Sequence, residues 1–108
     1  MRVAVAQITS SAQSVDNLAL VLTLMDQSAG QDMLFLPEVT NCVSLDRAHQ
    51  ADVLDHFDNN PFIEAICEKA CALGLWVALG SIALKTDDAD GRFANRSILI
   101  TATGSVVA

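Results

Sequence analysis

The fold is decided by the stretch Asp32-Met33-Leu34-Phe35-Leu36-Pro37-Glu38. The apolar run from Met33 to Leu36 predicts a short buried strand. Pro37 has no N–H to donate to a sheet ladder, so the strand is expected to stop before it. Glu38 is then the first charged side chain after the carboxyl end of the strand, which is where open α/β sheets collect ligands and catalytic groups.

Glu38 admits two interpretations. A carboxylate next to the apolar side chains of Leu34, Phe35 and Leu36 would be partly desolvated, which favours a role as a proton acceptor. Alternatively, Glu38 is an ordinary solvated glutamate in a loop, because perturbed carboxylates mark functional sites only statistically. The local pattern leaves both interpretations open.

The composition indicates one small globular domain or a part of a larger one. The chain has 108 residues, of which 52% are hydrophobic and only 18% charged, so there is ample material for a core. The formal net charge is −7, and the six basic residues form no cluster. These features argue against nucleic-acid binding, which requires a concentrated positive surface.

The sequence predicts a cytoplasmic protein. No stretch approaches the roughly 20 apolar residues needed to span a membrane. The amino terminus is not typical of a signal peptide, because Arg2 is a lone positive charge and polar residues interrupt the apolar run from Gln7 onward. Cys42, Cys67 and Cys71 are odd in number, which fits poorly with a disulfide framework and agrees with a compartment where thiols stay reduced.

The chain opens with a predicted strand–helix–strand unit. The continuous apolar run from Val3 to Ile8 is typical of a strand covered on both faces. Apolar residues then recur at helical spacing as far as Ala29, with Ser14 as the expected N-cap and Gly30 as the closing residue. Such a βαβ unit predicts a parallel strand pair with a right-handed crossover.

The second half predicts a helix followed by a hairpin. Asn60-Pro61 places a cap residue before proline at the first helical position, and Gly74 ends that helix. A third strand at 75–84 and a fourth at 93–101 are expected to pair antiparallel across the polar turn 86–91. Another turn at 102–105 precedes the start of a further strand at 106. The irregular segment 39–60 predicts a long loop with one or two helical turns, as is usual next to a site.

Several other chemistries receive little support. The spacings of Cys67 with Cys71 and of His49 with His56 lack the tight pairs of a zinc site, so we predict no metal. The turn after the first strand carries no glycine-rich phosphate cradle, and we predict no cofactor. The aspartates of the turn 86–91 suggest a solvated hairpin tip rather than a calcium loop. Cys42 lacks a neighbouring cation that would make it a thiolate, which favours a small residue lining a pocket.

Five features, taken in order along the whole chain, resemble the opening of a nitrilase-superfamily carbon–nitrogen hydrolase. They are the strand from Arg2 to Ile8, the helix that contains Asn17, Leu36-Pro37-Glu38, Leu79-Gly80-Ser81 in the third strand and Asn95-Arg96-Ser97 in the fourth. The resemblance implies an α/β fold, namely the N-terminal part of an α-β-β-α sandwich with a mixed sheet, a βαβ opening and a β3–β4 hairpin. Residues 1–108 are then a single partial domain.

The resemblance also implies a mechanism. Members of this family use a Glu as general base, a Lys that stabilises the tetrahedral intermediate and a Cys nucleophile that forms a thioester. Glu38 matches the base. The Lys and the Cys would fall beyond Ala108, so we expect this chain alone to be inactive. The lysines and cysteines that match neither role are Lys69, Lys85, Cys42, Cys67 and Cys71.

The preferred function is hydrolysis of the amide of a small carboxylic acid, with greatest similarity to the deaminated-glutathione amidase and ω-amidase branch. The residues that contact the substrate are not indicated. Two alternatives remain open: a non-catalytic α/β binding or assembly domain, and an unrelated small doubly wound domain. Because four largely apolar strands have two helices to cover them, we also expect a homo-oligomer that associates through a sheet face or the edge near Val106.

Overall fold

A computed structural model of the chain describes residues 1–8, 11, 13–38, 40, 42, 49, 54–86 and 93–107. In these ranges the elements are β1 (Val3–Val5), α1 (Ser14–Gln27), β2 (Met33–Leu36), α2 (Pro61–Leu73), β3 (Trp76–Lys85) and β4 (Phe93–Ile100). Their order confirms the predicted βαβ opening and the later helix and hairpin. None of the helices in these ranges is long and apolar enough to cross a membrane.

The strands form one mixed sheet in the order β1-β2-β3-β4. β1 pairs parallel with β2, and β2 pairs parallel with β3. β3 and β4 pair antiparallel, as the hairpin prediction requires. β2 therefore lies between two parallel neighbours. Glu38 comes two residues after its last residue, Leu36.

Both helices pack against the same face of the sheet. The strands follow one another across the sheet in chain order, and right-handed crossovers that advance in one direction place their helices on one side. The buried core on that side combines Val21 and Met25 of α1, Phe62, Ile63, Ile66 and Ala70 of α2, and strand residues including Leu34, Leu36, Val77, Leu79, Ile98 and Ile100. This supplies one helical layer and one sheet layer of a sandwich.

The prediction that β1 is covered on both faces is wrong for the described part of the chain. The side chains of Val3 and Val5 are 51% and 74% exposed. The register places Val5 beside Phe35, and Phe35 is also exposed on this face. α1 and α2 pack against the opposite face of the sheet. The continuous apolar pattern of β1 therefore reflects a second apolar face, which these helices do not cover.

The ends of the two helices differ in how well the sequence predicted them. Asn60 caps α2 by accepting a hydrogen bond from Ile63 N at 3.2 Å, and Gly74 ends α2 in the left-handed conformation with φ 64°, both as predicted. For α1 the N-cap is Gln13, not Ser14, which is already helical. Ser28 is the C-cap, and Gly30 lies two residues later.

The chain after β4 forms the predicted turn. Thr101 N donates to Ser105 O at 2.9 Å, and Val106 makes an isolated antiparallel bridge with Ile100. That a further strand begins there stays a prediction. The hairpin tip from 87 to 92, most of the predicted loop from 39 to 53 and Ala108 lie outside the described residues.

Candidate active site

Glu38 stands at the carboxyl end of β2, but its side chain is exposed. The expectation that Leu34, Phe35 and Leu36 desolvate it is therefore wrong for the described structure. Leu34 and Leu36 are buried in the helix-covered core, while Phe35 lies on the opposite face. Because the strand stops at Leu36, Glu38 lies outside the strand that these residues form. Its role as a base stays a prediction.

The backbone immediately before Glu38 lies against Gly80 of β3. A β-carbon at Gly80 would lie 2.7 Å from the carbonyl carbon of Pro37 and 2.8 Å from the carbonyl oxygens of Leu36 and Pro37. These are backbone atoms, which cannot move aside as a flexible side chain can. Only glycine fits this approach, so β3 and the Pro37–Glu38 peptide are in direct contact.

Gly80 also belongs to an irregularity of β3. Leu79 pairs with Ile98 but Ile82 pairs with Arg96, so Gly80 and Ser81 together oppose the single residue Ser97. This two-against-one arrangement is a β-bulge. The hydroxyl of Ser97 donates to the carbonyl oxygen of Gly80 at 2.6 Å, which fixes the bulge from the β4 side.

Thr40 fastens the segment that follows Glu38. Its side chain is fully buried, and its hydroxyl donates to the carbonyl oxygen of Pro37. Its backbone N–H donates to the carbonyl oxygen of Ser81 at 3.0 Å. Glu38 therefore lies between two backbone points, Pro37 and Thr40, that are both held against the bulge of β3.

Two of the three cysteines, Cys42 and Cys67, are poorly suited to act as nucleophiles. Cys42 is fully buried in a small cluster with Leu54 and Ala83. That it lines a pocket stays a prediction. Burial raises the pKa of the Cys42 thiol. The pKa of Cys67 is raised by burial and, to a smaller extent, by the nearby charge of Glu64. Both shifts oppose thiolate formation, which a nucleophile needs.

A groove of about 480 Å³ lies at the start of α2 and does not include Glu38. Its walls combine Phe57, Ile63 and Val106 with the carboxylates of Glu64 and Glu68. In the ranges given above, no group of three or more His, Cys, Asp or Glu side chains is arranged to hold a metal ion.

Residues 2–108 match the family model for carbon-nitrogen hydrolases. The chain belongs to the carbon–nitrogen hydrolase family. This confirms the resemblance to the nitrilase superfamily that the sequence indicated. A comparison of this hydrolase chain with curated proteins finds no match.

Solved structures support the same fold for this carbon–nitrogen hydrolase chain. The NitFhit protein of C. elegans superposes with a TM-score of 0.87 at 23% identity, over 98% of this chain and 26% of that one. A CN-hydrolase superfamily protein of Xanthomonas campestris, with an arsenic adduct in its active site, gives 0.78 at 23% identity over 99% of this chain and 38% of that one. A double mutant of the amidase from Nesterenkonia sp. AN1, in complex with acrylamide, gives 0.77 at 18% identity over 100% of this chain and 41% of that one.

The chain thus spans between 26% and 41% of the length of these similar structures.

The sequence pattern indicated Glu38 but gave no role to Thr40, Gly80 or Ser97. Gly80 carried a usable signal, because a glycine inside a strand pattern indicates a bulge or a close backbone approach. The bonds made by Thr40 carried no comparable signal, since they depend on how the loop returns to β3.

Proposed function

We propose that this chain supplies the general base of an amidase that hydrolyses the amide of a small carboxylic acid, and that the base is Glu38. The observation that carries the proposal is the position of Glu38 at the carboxyl end of β2, in a chain that matches the carbon–nitrogen hydrolase family along 2–108. Residues 1–108 are proposed to be a partial domain, with the catalytic Lys and Cys supplied by further sequence.

The proposed reaction begins with a proton transfer. The carboxylate of Glu38 takes the proton of the cysteine thiol, and the thiolate attacks the amide carbonyl carbon to form a C–S bond. The Lys ammonium stabilises the oxyanion of the tetrahedral intermediate. The C–N bond then breaks, and Glu38 returns the proton to the departing ammonia. Water next attacks the thioester with Glu38 as base, which releases the carboxylic acid and restores the thiol.

The substrate class proposed is a small acid that carries a terminal amide, as in deaminated glutathione and other ω-amides. The similar folds include an amidase in complex with acrylamide, a small amide without a carboxylate, which supports a small amide as substrate but not the ω-amide class in particular. The groups that bind the substrate carboxylate are proposed to come from outside the described residues.

The deciding experiment measures ammonia release from small ω-amides by the protein that carries this segment together with its Cys and Lys. We expect Glu38→Gln to reduce kcat by about 100-fold or more, since general base catalysis contributes about 10²- to 10⁴-fold. Glu68→Gln is the matched control, because Glu68 is also an exposed glutamate but lies on α2. Equal activity of the two variants would disprove the assignment of Glu38.

Addition of hydroxylamine during turnover gives a second readout. Hydroxylamine converts a thioester intermediate to a hydroxamate, so the appearance of the hydroxamate supports covalent catalysis by a cysteine.

The 108-residue chain alone should release no ammonia, because it offers Glu38 without the proposed nucleophile. Turnover by that chain would show that the nucleophile has been misplaced. A non-catalytic binding domain predicts no turnover in either form of the protein.

A further inference from the structure

We propose that Gly80 and Thr40 are positioning residues that orient Glu38 for catalysis. Gly80 contacts the peptide that precedes Glu38, and Thr40 holds that peptide and the backbone after Glu38 against β3. The inference rests on the proposed function, because it takes Glu38 as the base. Neither residue touches the reacting atoms in this proposal. Their effect is exerted through the backbone that carries the carboxylate.

The first element is the peptide plane between Pro37 and Glu38. The carbonyl carbon and oxygen of Pro37 lie in the same rigid plane as the nitrogen and α-carbon of Glu38. Gly80 abuts that carbonyl group so closely that a β-carbon would lie 2.7 Å from its carbon and 2.8 Å from its oxygen. A fixed carbonyl therefore fixes where the Glu38 side chain starts.

The second group that positions Glu38 is Thr40, which donates hydrogen bonds to the same peptide and to β3. Its hydroxyl donates to the carbonyl oxygen of Pro37, and this bond sets the rotation of the peptide plane. Its N–H donates to Ser81 O at 3.0 Å. Thr40 is fully buried, so water cannot readily replace either bond.

The third element is the bulge that presents Gly80. In a regular strand, Gly80 and Ser81 would each oppose one residue of β4, but here both oppose Ser97. The extra residue bends β3 locally and changes where its backbone groups point. The 2.6 Å bond from Ser97 Oγ to Gly80 O holds this geometry. β4 thereby supports the position of Glu38, although it is not the strand next to β2.

The consequence concerns rate rather than binding. A misplacement of about 1 Å in a catalytic group reduces the rate by roughly 100-fold. Gly80→Ala must push the Pro37 carbonyl away, and with it Glu38. Thr40→Val preserves the shape of the side chain but removes the donor to Pro37. Both changes should lower kcat while KM stays near its original value, because neither residue is proposed to contact substrate.

The test compares two pairs of variants in the protein that carries this segment with its Cys and Lys. Gly74→Ala is the control for Gly80→Ala. Gly74 has φ 64°, and a β-carbon added there would have no atom within 4 Å, so its substitution strains the backbone without touching β2. Thr40→Ser is the control for Thr40→Val, because it keeps the hydroxyl and loses a methyl group.

We expect Gly80→Ala and Thr40→Val to lower kcat by about 10- to 100-fold. Gly74→Ala and Thr40→Ser should keep kcat close to that of the unaltered protein, even where thermal unfolding shows that they are less stable. Hydrogen exchange at the Thr40 amide should accelerate in Gly80→Ala and not in Gly74→Ala. If Gly80→Ala fails to fold, the nearly isosteric Thr40→Val and its serine control still decide the question.

Three results would count against the proposal, and they are distinguishable. If Glu38→Gln abolishes activity but Gly80→Ala and Thr40→Val match their controls, the positioning role is wrong and the base assignment stands. If Glu38→Gln retains full kcat, the proposed function itself fails, and the positioning role fails with it. A loss of kcat in Thr40→Ser equal to that in Thr40→Val would also refute the part assigned to the hydroxyl.

Discussion

Asn17 and Ser11 form a reciprocal pair of hydrogen bonds, each 2.8 Å long. Asn17 Oδ1 accepts from Ser11 N, and Asn17 Nδ2 donates to Ser11 O. The Asn17 side chain is only 2% exposed. It fastens the chain that enters α1, whose N-cap residue Gln13 makes no capping bond with its own side chain.

Asn17→Ala should therefore destabilise the chain by about 1–3 kcal/mol, because two part-buried hydrogen bonds to the Ser11 backbone are lost and each contributes about 0.5–1.5 kcal/mol. Asn17→Asp should be destabilising as well, since it keeps the acceptor but cannot donate to Ser11 O. The measurement is urea unfolding, with Gln27→Ala as the control because Gln27 is an exposed amide at the other end of α1. A loss no larger than that of the control would contradict the role given to Asn17.

A second prediction concerns the start of α2. Asn60 accepts from Ile63 N at 3.2 Å, and its Nδ2 donates to His56 O at 3.0 Å. Asn60→Ala should cost about 1–2 kcal/mol, the usual range for an N-cap that is lost. Asn60→Asp should cost less than Asn60→Ala, because it loses the donor to His56 O but keeps the capping acceptor next to the positive end of the helix dipole. Equal midpoints for the two variants in denaturant unfolding would argue against capping as the cause.

These two asparagines illustrate what the sequence could predict. Asn60 stands directly before Pro61, a local signature of a helix start, and the structure has α2 begin there. Asn17 lies inside the first turn of α1, where sequence offers no sign that its side chain reaches back to Ser11. Local patterns predicted the elements, their order and the β3–β4 hairpin, because periodicity and turn residues act over a few positions.

The site was less predictable for the same reason. The position of Pro37-Glu38 at the end of a strand could be predicted from the residues next to it in the sequence. Whether Glu38 is desolvated depends on groups distant in sequence, and the expected apolar walls proved absent around its exposed side chain. The contact of Gly80 with Pro37 and the bonds of Thr40 likewise join separate segments. The placement of both helices on one face of the sheet follows from crossover direction, which the strand order determines and local patterns do not.

A third prediction concerns pH. Burial raises the pKa of the Cys42 and Cys67 thiols, so these groups keep their protons to higher pH in the folded chain than in the unfolded one. The folded state then binds more protons in alkaline solution, and its stability should fall as the pH rises through the ordinary thiol range. Urea unfolding from about pH 7 to about pH 10 would measure this fall.

Cys42→Ala is the variant that tests the origin of the slope. It should reduce the decline in stability with rising pH, whatever its effect on stability at neutral pH. Cys71→Ala is the control, because Cys71 is exposed and its loss removes a thiol without removing a buried one. Identical slopes in both variants would show that the buried thiol of Cys42 does not produce the effect.

The last prediction concerns the sheet face opposite the helices. Val5 and Phe35 are in register on it and are 74% and 39% exposed, and Trp76 is also 39% exposed on the same face. Water contact with such an apolar patch is unfavourable, so the 108-residue chain should self-associate through this face. Phe35→Lys should weaken association and the binding of a hydrophobic dye, as measured by light scattering and fluorescence.

Val15→Lys is the matched control, because Val15 is an 80% exposed apolar residue on α1, outside this face. Association that persists in Phe35→Lys would instead indicate the edge beside Val106. If the unaltered chain is a monomer that binds no dye, association through either surface is refuted.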